Sequence, residues 1–168
     1  MNAEHNLLVT CRVARKIKEF TTDGHIVRTV SLPGDVINPW HTVQTRSGQF
    51  IVCHGYVGAV HRVCKISADG RHIVHSHGGH PGSDTGQYDV PMHLAVDNDE
   101  FVFVADQRNR RVTLSPTLHY VRQVVSSDQL KWRPHRVYLD TSKRYLYVGE
   151  GEWKDDEWTT GRVVVFSV

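Results

Sequence analysis

Long hydrophobic runs are missing from this chain of 168 residues, whose apolar stretches resemble the five residues FVFVA at 101–105. This absence excludes a membrane-spanning helix, which needs about 20 apolar residues in a row. The residues NAEHN after Met1 lack the basic and apolar parts of a secretory signal. We therefore expect no membrane partner and a cytoplasmic location.

Cysteine is scarce, and the three that occur are Cys11, Cys53 and Cys64. An odd number of widely spaced cysteines in apolar stretches excludes the disulfide framework of a small secreted domain. No C-x-x-C pair occurs, which excludes structural zinc modules of that type. We expect buried, reduced thiols.

An excess of charge of one sign is also missing, because 20 basic residues face 18 acidic ones for a net charge of +2. A nucleic-acid-binding surface usually shows a clear basic surplus. The balance therefore gives little support for binding to phosphate backbones or anionic lipid.

Helical periodicity is nearly absent, and what the sequence contains instead is a repeat of short strand-like runs separated by turn residues. Four runs are versions of one another, at 6–11, 49–54, 100–106 and 144–150. Their aligned valines, Val9, Val52, Val104 and Val148, are 43, 52 and 44 residues apart. A period of this length with several strands per unit predicts a β-propeller.

Other columns of the repeat agree with this register. A proline-led strand precedes three of the runs, and a basic residue followed by a β-branched one comes after each run. The Asp-Gly pairs at 23–24 and 69–70 predict tight hairpins. The sequence therefore predicts one all-β domain over 1–168, with blades of four antiparallel strands at about 6–37, 38–89, 90–132 and 133–168.

The third unit carries a family resemblance. Its residues Ala105, Asp106, Asn109, Arg111 and Val112 fit the pattern of an NHL repeat, in which a strand is followed by Ala-Asp, two residues, Asn, one residue and Arg-Val. The Gly-rich segment at 78–91 is similar to the loop between NHL blades. The resemblance implies a propeller like those of animal tripartite-motif proteins, which generally form six-bladed rings and often bind a protein or RNA partner.

The strand count is lower than four full blades require. The first unit lacks its first strand and the last unit stops at its third, which predicts about fourteen strands in four sheets. The chain is then part of a larger ring, a closed four-bladed ring, or a half-ring whose end blades pair with another copy. We favour a portion of a larger ring or an assembling half-ring.

Four histidines lie within 72–80, which raises the question of a metal site. In the repeat register His75 and His77 share one face of an outer strand, and His80 follows in the loop. The equivalent positions of other blades hold ordinary rim residues. We therefore predict a solvated outer strand, keep a site of His75, His77 and His80 as the weaker alternative, and expect no metal or other cofactor.

A second set lies where the first strands begin, next to the central channel: Trp40, His41, His93, His135 and Arg136. Three imidazoles from successive blades would suit zinc. Pro134-His135 fits a Pro-His dipeptide of the peptide amidating lyase, which has a similar fold. In the other two strands the histidine comes one residue later, which turns it to the opposite face. We therefore expect structural or ligand-contacting histidines.

Two further sets are candidates for partner binding. Trp153 and Trp158 lie in an acidic segment, 149–161, which we interpret as a variable loop with tryptophan anchors. Arg108, Arg110 and Arg111 form a short basic cluster, although an arginine that recurs once per blade, as Arg111 does, more often holds blades together.

Three functions remain open. We favour a non-enzymatic module that binds a protein or peptide through loops on one propeller face. Single-stranded RNA binding is the first alternative, and a metal-dependent lyase-like or lactonase-like enzyme is the second. No G-x-S-x-G or H-E-x-x-H motif occurs, and no nucleophile and base pair can be placed by spacing.

Overall fold

The protein folds into strands only, in a computed structural model that describes residues 5–56, 58, 60–116, 118–119, 122–154 and 157–168, with only the backbone at position 158. No described residue belongs to a helix with the length and hydrophobicity that a membrane crossing demands. The strands are Leu7–Cys11 (β1), Lys16–Phe20 (β2), Ile26–Ser31 (β3), Pro39–Gln44 (β4), Phe50–His54 (β5), His61–Ile66 (β6), Ile73–Gly79 (β7), Pro91–Val96 (β8), Phe101–Asp106 (β9), Arg111–Pro116 (β10), Arg122–Val125 (β11), Arg133–Asp140 (β12), Tyr145–Lys154 (β13) and Glu157–Ser167 (β14).

These strands form four antiparallel sheets, as the repeat predicts. We number them as blades: blade 1 is β1-β2-β3, blade 2 is β4-β5-β6-β7, blade 3 is β8-β9-β10-β11 and blade 4 is β12-β13-β14. Within each blade, neighbours in sequence are neighbours in the sheet, which short turns make possible. Among the described residues, blade 1 has no inner strand and blade 4 has no outer strand. The propeller fold and the strand count predicted from the sequence are confirmed.

One of the two predicted Asp-Gly turns, at 69–70, lies in the contact between blades 1 and 2. Gly70, at φ +78°, lies in the turn between β6 and β7, where a left-handed backbone favours glycine. A Cβ at this position would come within 2.5 Å of the Ser31 carbonyl oxygen and 2.3 Å of the Val30 side chain, both in blade 1. Glycine is therefore required both by the turn and by the contact between blades 1 and 2.

The core consists of three apolar clusters, one between each pair of successive blades. Blade 2 packs Phe50, Val52, Cys64 and Ile66 against blade 1, blade 3 packs Leu94, Val102 and Val104 against blade 2, and blade 4 packs Val137, Leu146 and Val148 against blade 3. Cys53 and Cys64 are buried free thiols, as expected, whereas Cys11 is half-buried. The second strands of blades 2 and 3, β5 and β9, therefore have a neighbouring blade on both faces.

The aligned valines show where this stack ends. Val52, Val104 and Val148 are fully buried, whereas Val9 is 44% exposed. All four occupy equivalent positions in their sheets, but no blade precedes blade 1 to cover Val9. At the other end, Val163 and Val165 of blade 4 are 64% and 49% exposed. The described residues therefore form an open arc of blades, which excludes the closed four-bladed ring.

A carboxylate holds the recurring arginine in blades 3 and 4. The Asp106 carboxylate accepts hydrogen bonds from Arg111 Nε at 2.8 Å, from the Asn109 side chain and from the backbone N–H of Asp89. Glu150 accepts from Arg162 Nε in the same way. Burial raises the pKa of Asp106 to about 6, so the carboxyl is ionised at neutral pH.

The Arg111 guanidinium also donates to the carbonyls of Ser83 and Gln87 in the loop that leads into blade 3. The arginine therefore ties that loop to β9 and β10, which confirms the structural role that the repeat predicts. The backbone N–H that donates to Asp106 also comes from this loop, at Asp89, and not from the turn that follows β9.

We expect Asp106→Asn to lower the free energy of unfolding by about 2–4 kcal/mol, because it leaves the largely buried Arg111 charge without its counter-ion. Urea denaturation at pH 7 followed by tryptophan fluorescence measures the change. Asp99→Asn, at an exposed turn position, is the control and should shift stability by about 0.5 kcal/mol or less. A loss below about 1 kcal/mol for Asp106→Asn would contradict the structural role.

We also expect the exposed end faces to associate between copies of the chain. In blade 4, Tyr147, Gly149, Val163 and Val165 stand where blade 3 has its buried Phe103, Ala105, Val112 and Leu114. Sedimentation at tens of micromolar should therefore give a mass above that of a monomer, since exposed apolar faces favour association. Val165→Asp should restore the monomer and Val74→Asp, on an exposed rim strand, should not. A wild-type monomer at all concentrations would contradict this expectation.

Candidate functional site

The inner strands β4, β8 and β12 define the candidate site. Within the arc, β8 contacts both β4 and β12. The three strands begin at the same edge of their sheets, where β1, β5 and β9 end and their following loops emerge. We call this edge of the arc the entry face. It gathers side chains that are far apart in sequence.

A bulge near the start of each inner strand decides which side chains are equivalent. The register shifts between Pro39 and His41 in β4, and an extra residue occupies the bulge. The same shift occurs between Pro91 and His93 in β8 and between Pro134 and Arg136 in β12. Such bulges re-aim side chains at the ends of strands. Each bulge therefore contributes one residue to the entry face. It also determines which residue resumes the pairing with the second strand.

The equivalent positions after the bulge hold His41, His93 and Arg136, which we call the channel row. They pair with Cys53, Ala105 and Gly149 respectively, in the second strand of each blade. His135 belongs to the bulge and not to this row. The prediction from the Pro-His spacing, that His135 differs in orientation from His41 and His93, agrees with this register.

Two imidazoles of the channel row lie face to face. The ring centroids of His41 and His93 are 3.6 Å apart with an interplanar angle of 19°. His41 Nδ1 accepts a hydrogen bond from the backbone N–H of Leu94 at 3.3 Å, and His93 Nδ1 accepts one from Val137 at 3.4 Å. Each histidine therefore links its own blade to the inner strand of the next blade.

These hydrogen bonds fix the tautomer of both rings. A neutral imidazole whose Nδ1 accepts a hydrogen bond carries its proton on Nε2. Burial lowers the pKa of His41 to about 4, with a contribution from the Arg136 charge. Burial also lowers the pKa of His93 to about 3, helped by His41 and Arg136. At neutral pH the channel row therefore offers two uncharged N–H donors beside one guanidinium.

His135 has different partners. Its Nδ1 lies 3.1 Å from the Gln107 side-chain nitrogen and 3.3 Å from the Met92 sulfur. Burial lowers the pKa of His135 as well. Three imidazoles around one axis, as a zinc site would require, do not form here. The third position of the row holds an arginine, which repels a cation.

A second group of side chains crosses the entry face from blade 1 to blade 3. The guanidinium of Arg12 lies 3.7 Å from the ring centroid of Trp40, and Trp40 packs edge-on against Tyr56 at 5.4 Å. Arg12 and Arg108 lie 5.3 Å and 5.5 Å from the centroid of the Tyr56 ring. We call these four residues the arginine–aromatic row. Contacts of this kind contribute about 0.5–1 kcal/mol each at exposed sites.

Sequence reasoning singled out Trp40 and Arg108 but missed Arg12 and Tyr56. Tyr56 and Arg108 occupy the same repeat position after β5 and β9, and Arg12 comes directly after β1. The loop that follows the second strand of each blade is therefore the signal that could have identified the missed residues. The row also includes a backbone link, since the Trp40 indole N–H donates to the Gly55 carbonyl at 2.9 Å.

The three arginines of the 107–111 turn do not act as one basic cluster. Arg110 donates to the carbonyls of Ser127 and Leu130, and Arg111 is held by Asp106. Arg108 is exposed, as Arg110 is, and lies 3.6 Å from the Asp89 carboxylate. In the described contacts, Arg108 is the arginine of this turn whose guanidinium no backbone carbonyl holds.

The described parts of this segment, 149–154 and 157–161, are paired strand, and the interpretation of these parts as a loop is wrong. The antiparallel ladder continues from Glu150↔Arg162 through Glu152↔Thr160 to Lys154↔Glu157. Backbone hydrogen bonding therefore extends blade 4 as a hairpin beyond the entry face. Trp153 is 52% exposed on this hairpin, as predicted, whereas the side chain of Trp158 lies outside the described residues.

The histidines of β7 and its loop have separate partners. His75 Nε2 lies 3.0 Å from the Leu118 carbonyl oxygen, and its ring contacts His119. His77 packs against Tyr88, while His80 is exposed. Among the described residues, no group of three or more His, Cys, Asp or Glu side chains is arranged to hold a metal ion. The prediction of a solvated outer strand needs a correction, because His75 and His77 are half-buried and contact Leu118 and Tyr88.

Comparison with known proteins gives similarity in structure alone. No family model matches the chain, and no curated protein matches it. It is similar to a protein of unknown function from Bacteroides caccae (TM-score 0.67, 14% identity, 89% of this chain and 54% of the other). It is similar to a catalytically inactive histidine-to-alanine variant of virginiamycin B lyase from Staphylococcus aureus, solved with quinupristin. The TM-score is 0.63 at 14% identity, and the match covers 99% of this chain and 53% of the other. It is also similar to a gluconolactonase from Xanthomonas campestris, with a TM-score of 0.61 at 15% identity. This match covers 95% of this chain and 58% of the other.

The chain thus spans about half the length of the structures it matches, and at these identities the likeness shows the β-propeller fold alone. It also overturns one expectation. The prediction that this chain is not an enzyme is wrong as an exclusion, because a lyase and a gluconolactonase have the same fold. A propeller fold is compatible with catalysis and assigns no reaction by itself.

Proposed function

We propose that the chain recognises a peptide, or an extended segment of a protein, across its entry face. The arginine–aromatic row is the observation that supports this proposal most directly. Its four side chains come from three blades and converge on one exposed surface. Tyrosine, tryptophan and arginine are the residues that most often dominate the binding energy of protein interfaces.

Charge favours a ligand that brings oxygen acceptors. None of the described carboxylates pairs with Arg12, whose guanidinium is held over Trp40. The stacking orients this guanidinium without using its N–H donors, which leaves them for carbonyl or carboxylate oxygens of a ligand. Tyr56, 37% exposed, offers a ring edge for an apolar side chain. A peptide carries both oxygen acceptors and apolar side chains, separated by a few residues.

Single-stranded RNA fits the same surface less well. RNA-binding surfaces combine open aromatic rings for base stacking with several cations along the backbone path. Here a guanidinium already covers the Trp40 ring, and Arg108 faces Asp89. The acidic hairpin at 149–161 adds negative charge to the same side of the arc. These features favour a peptide over a phosphate backbone.

The resemblance of the third unit to NHL repeats supports this proposal by analogy, since such propellers often bind partners through one face. The Trp153 hairpin, which extends beyond the entry face at blade 4, supplies a second exposed aromatic for a longer ligand. A protein segment that contacts both Tyr56 and Trp153 would cross the open channel between blades 2 and 4.

We expect peptides selected from a random library on the immobilised chain to lose about 10-fold or more in affinity with Tyr56→Ala, because interface tyrosines are common hot spots. Isothermal titration measures the change. Tyr145→Ala is the matched control, since Tyr145 is 40% exposed but lies at the opposite end of blade 4. Trp153→Ala tests the hairpin separately, with a loss expected only for longer peptides.

Three outcomes would reject the proposal: no peptide is enriched, Tyr145→Ala weakens binding as much as Tyr56→Ala does, or a single-stranded RNA binds more tightly than any peptide. In the last case the affinity should fall steeply with salt concentration, because counter-ions are released from the phosphates. Peptide binding with a shallow salt dependence would support recognition through the arginine–aromatic row.

A further inference from the structure

We propose that the channel row, His41, His93 and Arg136, is a carboxylate-binding subsite, which receives an acidic group of the ligand. This inference rests on the proposed function, because it names the chemical group that the recognised peptide inserts beside the entry face. The row follows the bulges of the three inner strands, one residue beyond the positions that contribute to the entry face.

The donors of the row are held in place before any ligand arrives. Each imidazole accepts a backbone hydrogen bond from the next blade, and the two rings stack at 3.6 Å. Because both rings use their Nδ1 atoms in the same way and stack nearly parallel, we expect their Nε2–H groups to lie on the same side of the stack. Two parallel donors match the two oxygens of a carboxylate, and donors that do not need to reorganise bind with a smaller entropic cost.

The charge of the row matches a monoanion. Both imidazoles are neutral at pH 7, so the Arg136 guanidinium provides the one positive charge. Its Nη1 donates to the His135 carbonyl, and none of the described carboxylates pairs with it. A phosphate dianion would be only half neutralised by this one cation. A metal ion would have no imidazole lone pair to bind, because both Nδ1 atoms accept backbone hydrogen bonds and both Nε2 atoms carry protons.

A cavity of about 460 Å³ lies beside Arg136, which is the member of the channel row that lines it. Its other lining residues include His135, Glu150 and the glycines at 149, 151 and 161. The Glu150 carboxylate already accepts a hydrogen bond from Arg162 and forms an ion pair with it. The cavity therefore leaves Arg136 open to a ligand.

The carboxylate can come from the C-terminus of a peptide, from an Asp or Glu side chain, or from a small organic acid. Four probes distinguish these sources: sodium acetate, the tripeptide Ac-Ala-Ala-Tyr as its free acid and as its amide, and an amidated tripeptide that ends in Glu. A C-terminal site binds the free acid much more tightly than the amide. A side-chain site binds an amidated peptide that ends in Glu, and a site for small acids binds acetate as well as it binds the tripeptide acid.

The first experiment is a ¹H–¹⁵N correlation spectrum of the histidine rings. We expect His41 and His93 to be neutral Nε2–H tautomers at pH 7, and we expect their Nε2 shifts to move together when acetate or the tripeptide acid is added. The other tautomer, or unmoved shifts with every acid probe, would overturn the proposal. His75 serves as the internal control, since it lies on a rim strand.

The second experiment uses Arg136→Gln, which should lower the affinity for the acid probe about 10-fold or more, as expected for a charge-assisted hydrogen bond. Arg133→Gln is the matched control, because it removes the same charge from an exposed position of the same strand. Equal losses in the two variants would mean that the net charge alone attracts the acid, and would also overturn the proposal.

The failure of this subsite is distinguishable from the failure of peptide recognition. If Tyr56→Ala abolishes peptide binding while Arg136→Gln leaves the affinity of the acid and amide peptides unchanged, the proposed function stands and the subsite is rejected. If the acid probes shift both histidines and depend on Arg136 while no peptide depends on Tyr56, the subsite stands as a site for small acids and the entry-face proposal is rejected.

Discussion

Packing of blade against blade is the constraint on which the rest of the structure depends. Every residue of β5 is buried, because a central second strand is covered on both faces by neighbouring blades. The same constraint explains the exposed apolar faces at the two ends of the arc, where the repeat keeps its apolar pattern but has no neighbour to cover it. Val9 and Val165 are exposed for this reason, and not because their local sequence differs from that of the buried positions.

The bulges in the inner strands determine which side chains reach the entry face and which lie beside the channel. An unbroken β-strand would turn the residue after the proline toward one blade and the next residue toward the other. The extra residue lets Trp40 join the entry face while His41 links two blades through Leu94. One backbone irregularity, repeated in three blades, thus separates a recognition surface from a row of polar groups beside the channel. The proposed functions of both rows rest on this separation.

The repeat period, the strand order and the structural role of Arg111 could be predicted from sequence, because each is a local pattern that recurs with the blade. The contacts of the arginine–aromatic row could not, since Arg12 and Tyr56 belong to different blades and meet only when blades 1 and 2 stack. The segment 149–161 was interpreted as a loop because its charged residues and glycines are typical of solvated segments. The pairing of β13 with β14 depends on backbone hydrogen bonds, which charged side chains do not prevent. The tautomers of His41 and His93 depend on hydrogen bonds from another blade, which no spacing rule contains.

The channel row couples stability to binding through the same atoms. His41 and His93 stay neutral because they are buried, and they keep their orientation because their Nδ1 atoms stabilise the neighbouring inner strands. A protonated imidazole would lose its Nδ1 acceptor and with it the link between blades. The arrangement that suits the fold is therefore also the one that presents Nε2–H donors, so selection for a stable arc would by itself maintain the donors of the subsite. Arg136 makes no such link to another blade in the described contacts, and it is the residue of the row that binding alone would have to maintain.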